Sequence, residues 1–184
     1  MSRVGRRAAL LWLAAAALAG CAAVPPRSSG GDPAAEALSG RLAVKVDASG
    51  AEAARSLSAA FELRGSDQAG ELNLATPLGS VLAQARWSPG RVVLVTPRGE
   101  TLFPDLDALT REVLGESLPV AALFDWLHGR PWPGAASVAT AAPAEAGFEQ
   151  LGWVVSLARF DDAWVIARRE QAPAVTVRAK LDRP

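Results

Sequence analysis

The chain has one cysteine, one histidine and no tyrosine among its 184 residues. A lone cysteine, Cys21, leaves no disulfide with which the chain could staple itself. The single histidine, His128, has no serine, cysteine or second histidine near it in sequence, so it suggests neither a nucleophile–base pair nor a zinc pattern. Its place at the end of an expected helix points to helix-end solvation instead. No Walker loop, dinucleotide-binding glycine pattern, metal-spaced His/Cys cluster or nucleophile elbow is present. Charge of one sign is also lacking, with 19 basic against 19 acidic side chains, and no basic excess attracts nucleic acid. The apolar run at residues 8–19 has twelve members, well short of the roughly 20 a membrane-spanning helix needs.

That short run is nevertheless informative. Arg3, Arg6 and Arg7 precede it, and it closes on Leu18-Ala19-Gly20-Cys21, the layout of an export signal over residues 1–20. Arg6-Arg7 also fits a twin-arginine signal, although paired arginines equally suit any positive leader, and ordinary export is favoured. Leu-Ala-Gly-Cys resembles the lipobox of bacterial lipoproteins, which implies cleavage before Cys21 and covalent S-diacylglycerol and N-acyl lipid on that cysteine. No other cofactor is expected. Ala22 stands where aspartate would signal inner-membrane retention, so the same resemblance implies the outer membrane, with the chain facing the periplasm. Removing residues 1–20 takes away three arginines and no acids, leaving a mature chain with 16 basic and 19 acidic groups, net about −3. Residues 21–36 are rich in Pro, Gly, Ser and Ala without apolar period, which reads as a lipidated N-terminus and flexible tether. Residues 37–184 then supply one domain of ordinary size.

Within that domain apolar residues alternate through Leu38, Leu42, Val44 and Val46, then Leu57, Ala59, Phe61 and Leu63. The pattern continues at Leu72 and Leu74, at Val81, Ala83, Ala85 and Trp87, and over 92–95. Period two means strands, and the turn signals Gly65-Ser66-Asp67, Pro77-Leu78-Gly79 and Ser88-Pro89-Gly90 make them an antiparallel meander. The middle changes period. Leu106, Leu109, Val113 and Leu114 follow Pro104-Asp105 at helical spacing, with Gly115 as the stop. A second helix is expected with Pro119 at its first position, Val120, Leu123, Phe124 and Leu127 on one face, and Gly129 ending it. Strands resume at 153–157, 164–167 and 175–181, the last expected to close the sheet. The fold class is mainly β, a curved sheet or barrel interrupted by two helices.

Several segments together resemble the family of the outer-membrane lipoprotein receptor LolB. They are Ser39-Gly40-Arg41-Leu42-Ala43-Val44, Thr76-Pro77-Leu78-Gly79, Leu118-Pro119-Val120, Trp126-Leu127-His128-Gly129, Phe148-Glu149-Gln150 with Gly152-Trp153, and the terminal Val177-Arg178-Ala179-Lys180-Leu181. Each is weak alone; together they follow the lipobox in the family's order. The resemblance implies an incomplete antiparallel β-barrel with a short helical lid over its concave face, enclosing an apolar cavity for acyl chains. It implies a non-enzymatic monomer that accepts acylated lipoproteins from a LolA-like periplasmic carrier and inserts them into outer-membrane phospholipid. Such a receptor answers a physical need, since a sixteen-carbon chain exposed to water costs on the order of 10 kcal/mol at about 0.8 kcal/mol per methylene.

Individual residues carry two readings each. In the turn, Pro77 suits the second position and Gly79 the fourth, which puts Leu78 near the tip. A leucine there ordinarily folds back on its own sheet, whereas the resemblance implies that it protrudes and drives lipid insertion. Phe61, Leu63, Leu72, Leu74, Leu94, Leu109, Val113, Leu123, Phe124, Trp126 and Leu127 are candidates to line the acyl cavity, and equally suit a packed core. Trp153 shares that ambiguity, and Trp132, between Pro131 and Pro133, reads as a loop anchor. The rivals are a structural or assembly lipoprotein with a dry core, and a hydrolase using Asp105 and Asp107. Acids at those positions are favoured by a helix start anyway.

Overall fold

The computed structural model describes residues 37–182, so Cys21 and the expected leader and tether lie outside the described residues. Six strands come first: β1 (Leu38–Val46), β2 (Arg55–Gly65), β3 (Gly70–Ala75), β4 (Val81–Ser88), β5 (Arg91–Thr96) and β6 (Gly99–Phe103). Helices α1 (Leu106–Leu114) and α2 (Val120–Leu127) follow. The chain ends with β7 (Ser137–Thr140), β8 (Gly147–Gln150), β9 (Trp153–Ser156), β10 (Trp164–Arg169) and β11 (Val175–Leu181). No described helix is long and apolar enough to cross a membrane.

All eleven strands form one sheet in the order β6-β5-β4-β3-β2-β1-β11-β10-β9-β8-β7, and neighbours run antiparallel. The last strand does not close this sheet. It sits at the centre, joining the N-terminal meander to the C-terminal one, while β6 and β7 remain as the two edges and leave the barrel incomplete. The register explains the seam. Leu42, Val44 and Val46 on β1 stand opposite Ala179, Val177 and Val175 on β11, so both strands turn an apolar row to the concave side. Gly40 permits the close approach at the end of that seam, because a Cβ there would lie 2.1 Å from the Lys180 carbonyl oxygen.

Three strands, β6, β7 and β8, have no counterpart in the apolar alternation. β6 and β7 are edges whose residues are mostly exposed, including Leu102 and Val138, so burial does not impose alternation on them. In β8 one of the two inward positions is polar, Gln150, which breaks the pattern.

Local chemistry sets the helix ends. The Asp105 carboxylate accepts the Ala108 N–H at 2.7 Å as N-cap of α1, and Gly115 at φ 80° donates to the Arg111 carbonyl at its end. Pro119 stands one residue before α2 rather than at its first position, because its ψ of 72° is not helical. His128 caps the other end, its Nδ1 2.8 Å from the Phe124 carbonyl oxygen, and Gly129 follows at φ 77°.

The concave face is filled unequally. Toward β8 and β9 it is packed solid: the fully buried Trp126 meets Phe148 at 6.3 Å and Trp153 at 6.0 Å between ring centroids. Gln150 ties this cluster together. Its Oε1 accepts from Trp126 Nε1 (2.8 Å) and the Trp132 N–H (2.9 Å), while Nε2 donates to the carbonyls of Trp132 (2.7 Å) and Ala135 (2.8 Å). A buried amide with every group satisfied fixes the Trp132 loop against the sheet. Toward β2–β5 the helices do not fill the space.

Candidate functional site

Between the concave sheet and the two helices lies a cavity of about 360 Å³. That is within the ~300–1,000 Å³ range of small-molecule sites. Of the 22 residues that line it, 20 are Leu, Val, Ala or Phe. The exceptions are Thr96 and Thr110, and both hydroxyls are occupied. Thr96 Oγ1 donates to the Gly99 carbonyl (3.3 Å) and accepts the Arg98 N–H (3.2 Å). Thr110 Oγ1 donates to the Asp107 carbonyl (3.2 Å) and accepts the Leu118 N–H (3.0 Å). The walls therefore present no charge and no free polar group. A cavity of that kind gains nothing from holding water and takes apolar occupants.

The cavity reaches the β3–β4 turn. Leu74 pairs with Ala83, but Ala75 pairs with Val81, so Leu82 is an extra residue in β4. This bulge lets Leu82 line the cavity next to Ala83, while Val81 stays exposed on the other side. The turn itself is closed by the Gly79 N–H on the Thr76 carbonyl (2.9 Å) and the Thr76 N–H on the Ser80 carbonyl (2.8 Å). Ser80 also donates its N–H to Thr76 Oγ1 at 3.1 Å. Gly79 holds φ 85°, a left-handed conformation that suits glycine, and its Cβ position is open space. Leu78 at the tip is 95 % exposed. A leucine held out in water by a turn with three hydrogen bonds is not folded back on its sheet.

Comparison with known proteins decides the family. The family model described as outer membrane lipoprotein LolB matches residues 36–181. The chain belongs to the LolB family. Relatives named "Outer-membrane lipoprotein LolB" include one from Bordetella petrii, 36% identical over 94% of this chain and 92% of the relative. Another, from Bordetella pertussis, is 34% identical over 95% of this chain and 91% of the relative. A third, from Cupriavidus pinatubonensis, is 35% identical over 92% and 83%.

In this LolB-family fold, the residues singled out from sequence fall in different places. Phe61, Leu63, Leu72, Leu74 and Leu94 line the cavity from the sheet, and Leu109, Val113, Leu123, Phe124 and Leu127 from the helices. Trp126 is not among the lining residues: on α2 it points to the β8–β9 side, where its indole N–H meets Gln150. Trp153 belongs to the same packed cluster, and Trp132 is held by Gln150 through both its backbone groups. Pro77, Leu78 and Gly79 form the exposed turn described above. Asp105 and Asp107 are exposed and do not line the cavity; the first is spent on the helix cap. Sequence reasoning missed Leu42, Val44 and Leu57, which continue the inward alternation of β1 and β2, and Leu114, Leu118 and Val120 near the helix ends. It also missed Leu82, whose inward direction depends on the bulge and has no signal in the period. Among the described residues no cluster of three or more His, Cys, Asp or Glu could hold a metal.

Proposed function

We propose that this protein is an outer-membrane lipoprotein receptor. It takes acylated lipoproteins from a LolA-like soluble carrier, shelters their acyl chains between sheet and helices, and inserts them into outer-membrane phospholipid. The observation that carries this reading is the cavity: 20 apolar lining residues, no free polar group, and a wall that runs to a turn with an exposed leucine. Each acyl methylene moved from water into such a site contributes about 0.8 kcal/mol. Nothing along the walls can catalyse a bond change, so the role is transfer of an intact chain.

Leu78 is the membrane-contacting tip, with Pro77 and Gly79 shaping the turn that presents it. The apolar residues from Phe61 to Leu127 named above, Trp126 excepted, are the acyl contacts. Cys21 carries the acyl anchor that tethers the receptor to the outer membrane facing the periplasm. One acyl chain holds a protein only marginally to a bilayer and two or three hold it stably, so the lipid on Cys21 suffices as the anchor.

The test uses the chain starting at Ala22, whose sheet and core lie wholly within 38–181. It is incubated with a triacylated lipoprotein loaded on its carrier, and wild type is compared with Leu78→Glu for cargo capture and for delivery to liposomes. The reading expects capture by both forms and delivery by wild type alone. Absence of capture by a folded wild-type chain would leave a structural lipoprotein as the better account.

A further inference from the structure

The convex face of the sheet, opposite the cavity, carries an ordered charge pattern. Because Leu42, Val44 and Val46 point inward, Arg41 and Lys45 on β1 point outward, as do Arg178 and Lys180 on β11 and Arg168 on β10. The register places these five cations in three successive cross-strand rows. Arg168, Thr176 and Lys45 share the first, Arg178 and Ala43 the second, and Lys180 and Arg41 the third. The third row continues through Ala60 to Ala75, the last residue of β3 before the Leu78 turn, so the other two rows lie level with that turn. One step beyond, at the end away from the turn, the cations no longer stand alone: Glu62 faces Ser39, whose hydroxyl bonds Asp182, and is itself ion-paired with Arg64. Lys45 is paired with Asp47, and Lys180 Nζ is spent on the Asp162 carbonyl. Arg41, Arg168 and Arg178 are exposed and, among the described residues, form no ion pair.

We propose that this convex basic band is a second membrane contact that takes the phosphates of anionic lipid headgroups while the Leu78 turn beside it meets the bilayer. It rests on the reading of Leu78 as the membrane tip. The argument is charge complementarity at unpaired cations. The described residues carry 14 basic and 17 acidic side chains, yet the outward positions of β10, β11 and β1 level with the turn hold cations and no acid. A negative surface therefore attracts this part of the face, beside the turn. The band begins on β1, two strands or about 10 Å from β3, close enough to reach headgroups while the turn enters the apolar layer.

The experiment measures sedimentation of the chain starting at Ala22 with vesicles of phosphatidylcholine alone or mixed with phosphatidylglycerol, at low salt. Wild type is compared with the triple variant Arg41→Gln, Arg168→Gln, Arg178→Gln and with Leu78→Glu. Wild type should prefer the anionic vesicles, and the triple variant should lose that preference by on the order of a hundredfold, at roughly fivefold per surface cation. Leu78→Glu should weaken binding to both vesicle types. Equal binding of wild type to both vesicles, or an unchanged preference in the triple variant, would overturn the proposal while leaving cargo capture and the cavity reading standing. A triple variant that binds vesicles like wild type but no longer takes cargo from the loaded carrier would reassign the band to an acidic protein surface. The three side chains are exposed, so an unchanged melting midpoint checks that the fold survives.

Discussion

Replacing Leu78 by glutamate separates membrane contact from folding. The side chain is 95 % exposed, so almost none of its apolar surface contributes to the folded state. The turn that carries it is closed by backbone bonds and by Thr76 Oγ1, none of which involves the leucine side chain. Folding stability should therefore change by no more than about 0.5 kcal/mol, or one to two degrees in melting midpoint for a domain of this size. Entry into a bilayer is different. Full burial of a leucine is worth about 1.5–3 kcal/mol, a factor of roughly ten to a hundred in partition, and the glutamate adds the cost of bringing a charge to an apolar layer. Leu78→Ala should fall between. The assay follows release of a bound acylated lipoprotein into liposomes, with capture from the carrier measured separately. Delivery by Leu78→Glu at the wild-type rate would refute the tip role. A fall of several degrees in midpoint would show instead that the leucine supports the fold.

Other perturbations test the remaining parts. Ala83→Phe adds a ring to the cavity wall beside Leu74 and should block cargo capture without lowering the melting midpoint, since the ring enters open space. Gln150→Leu strands the groups now bonded to that amide and should cost about 2–4 kcal/mol in denaturant unfolding. Glu116→Ala removes the partner 2.7 Å from Arg169, a pair whose side chains are 17% and 25% exposed. Arg169 would keep only the Pro173 carbonyl (3.1 Å) and the Trp153 ring, so stability should drop by about 2 kcal/mol, between the values for exposed and buried pairs. Asp105→Ala with Asp107→Ala should cost about 1 kcal/mol through the lost cap and leave cargo capture unchanged, whereas a hydrolase using these acids would lose its function.

The strands that bury one face were legible because burial writes itself as alternation. The rows Leu42, Val44, Val46 and Leu57, Phe61, Leu63 mark both the strands and the concave side. The first helix was legible from its cap, Asp105, and its stop, Gly115. Edge strands such as β6 and β7 bury too little to leave a pattern, and Gln150 hides β8 because a satisfied amide replaces an apolar residue. The period also cannot tell a cavity wall from a core. Phe124 and Trp126 are both apolar, both buried and both on α2, yet one lines the empty space and the other packs on Phe148 and Trp153. What separates them is what lies opposite across the concave face, and that depends on the central seam between β1 and β11. The turn at Leu78 was legible as a turn; its outward direction rests on the hydrogen bonds that hold it.

The central claim is that acyl chains occupy the space between sheet and helices. The most direct measurement places a photoreactive group on the acyl chain of a lipoprotein cargo, transfers it from the carrier to the chain starting at Ala22, and maps the crosslinked residues. The account predicts crosslinks to cavity-lining positions such as Leu72, Leu94 and Leu123, lost in Ala83→Phe. Crosslinks confined to exposed surface, or unchanged by the filled cavity, would contradict it.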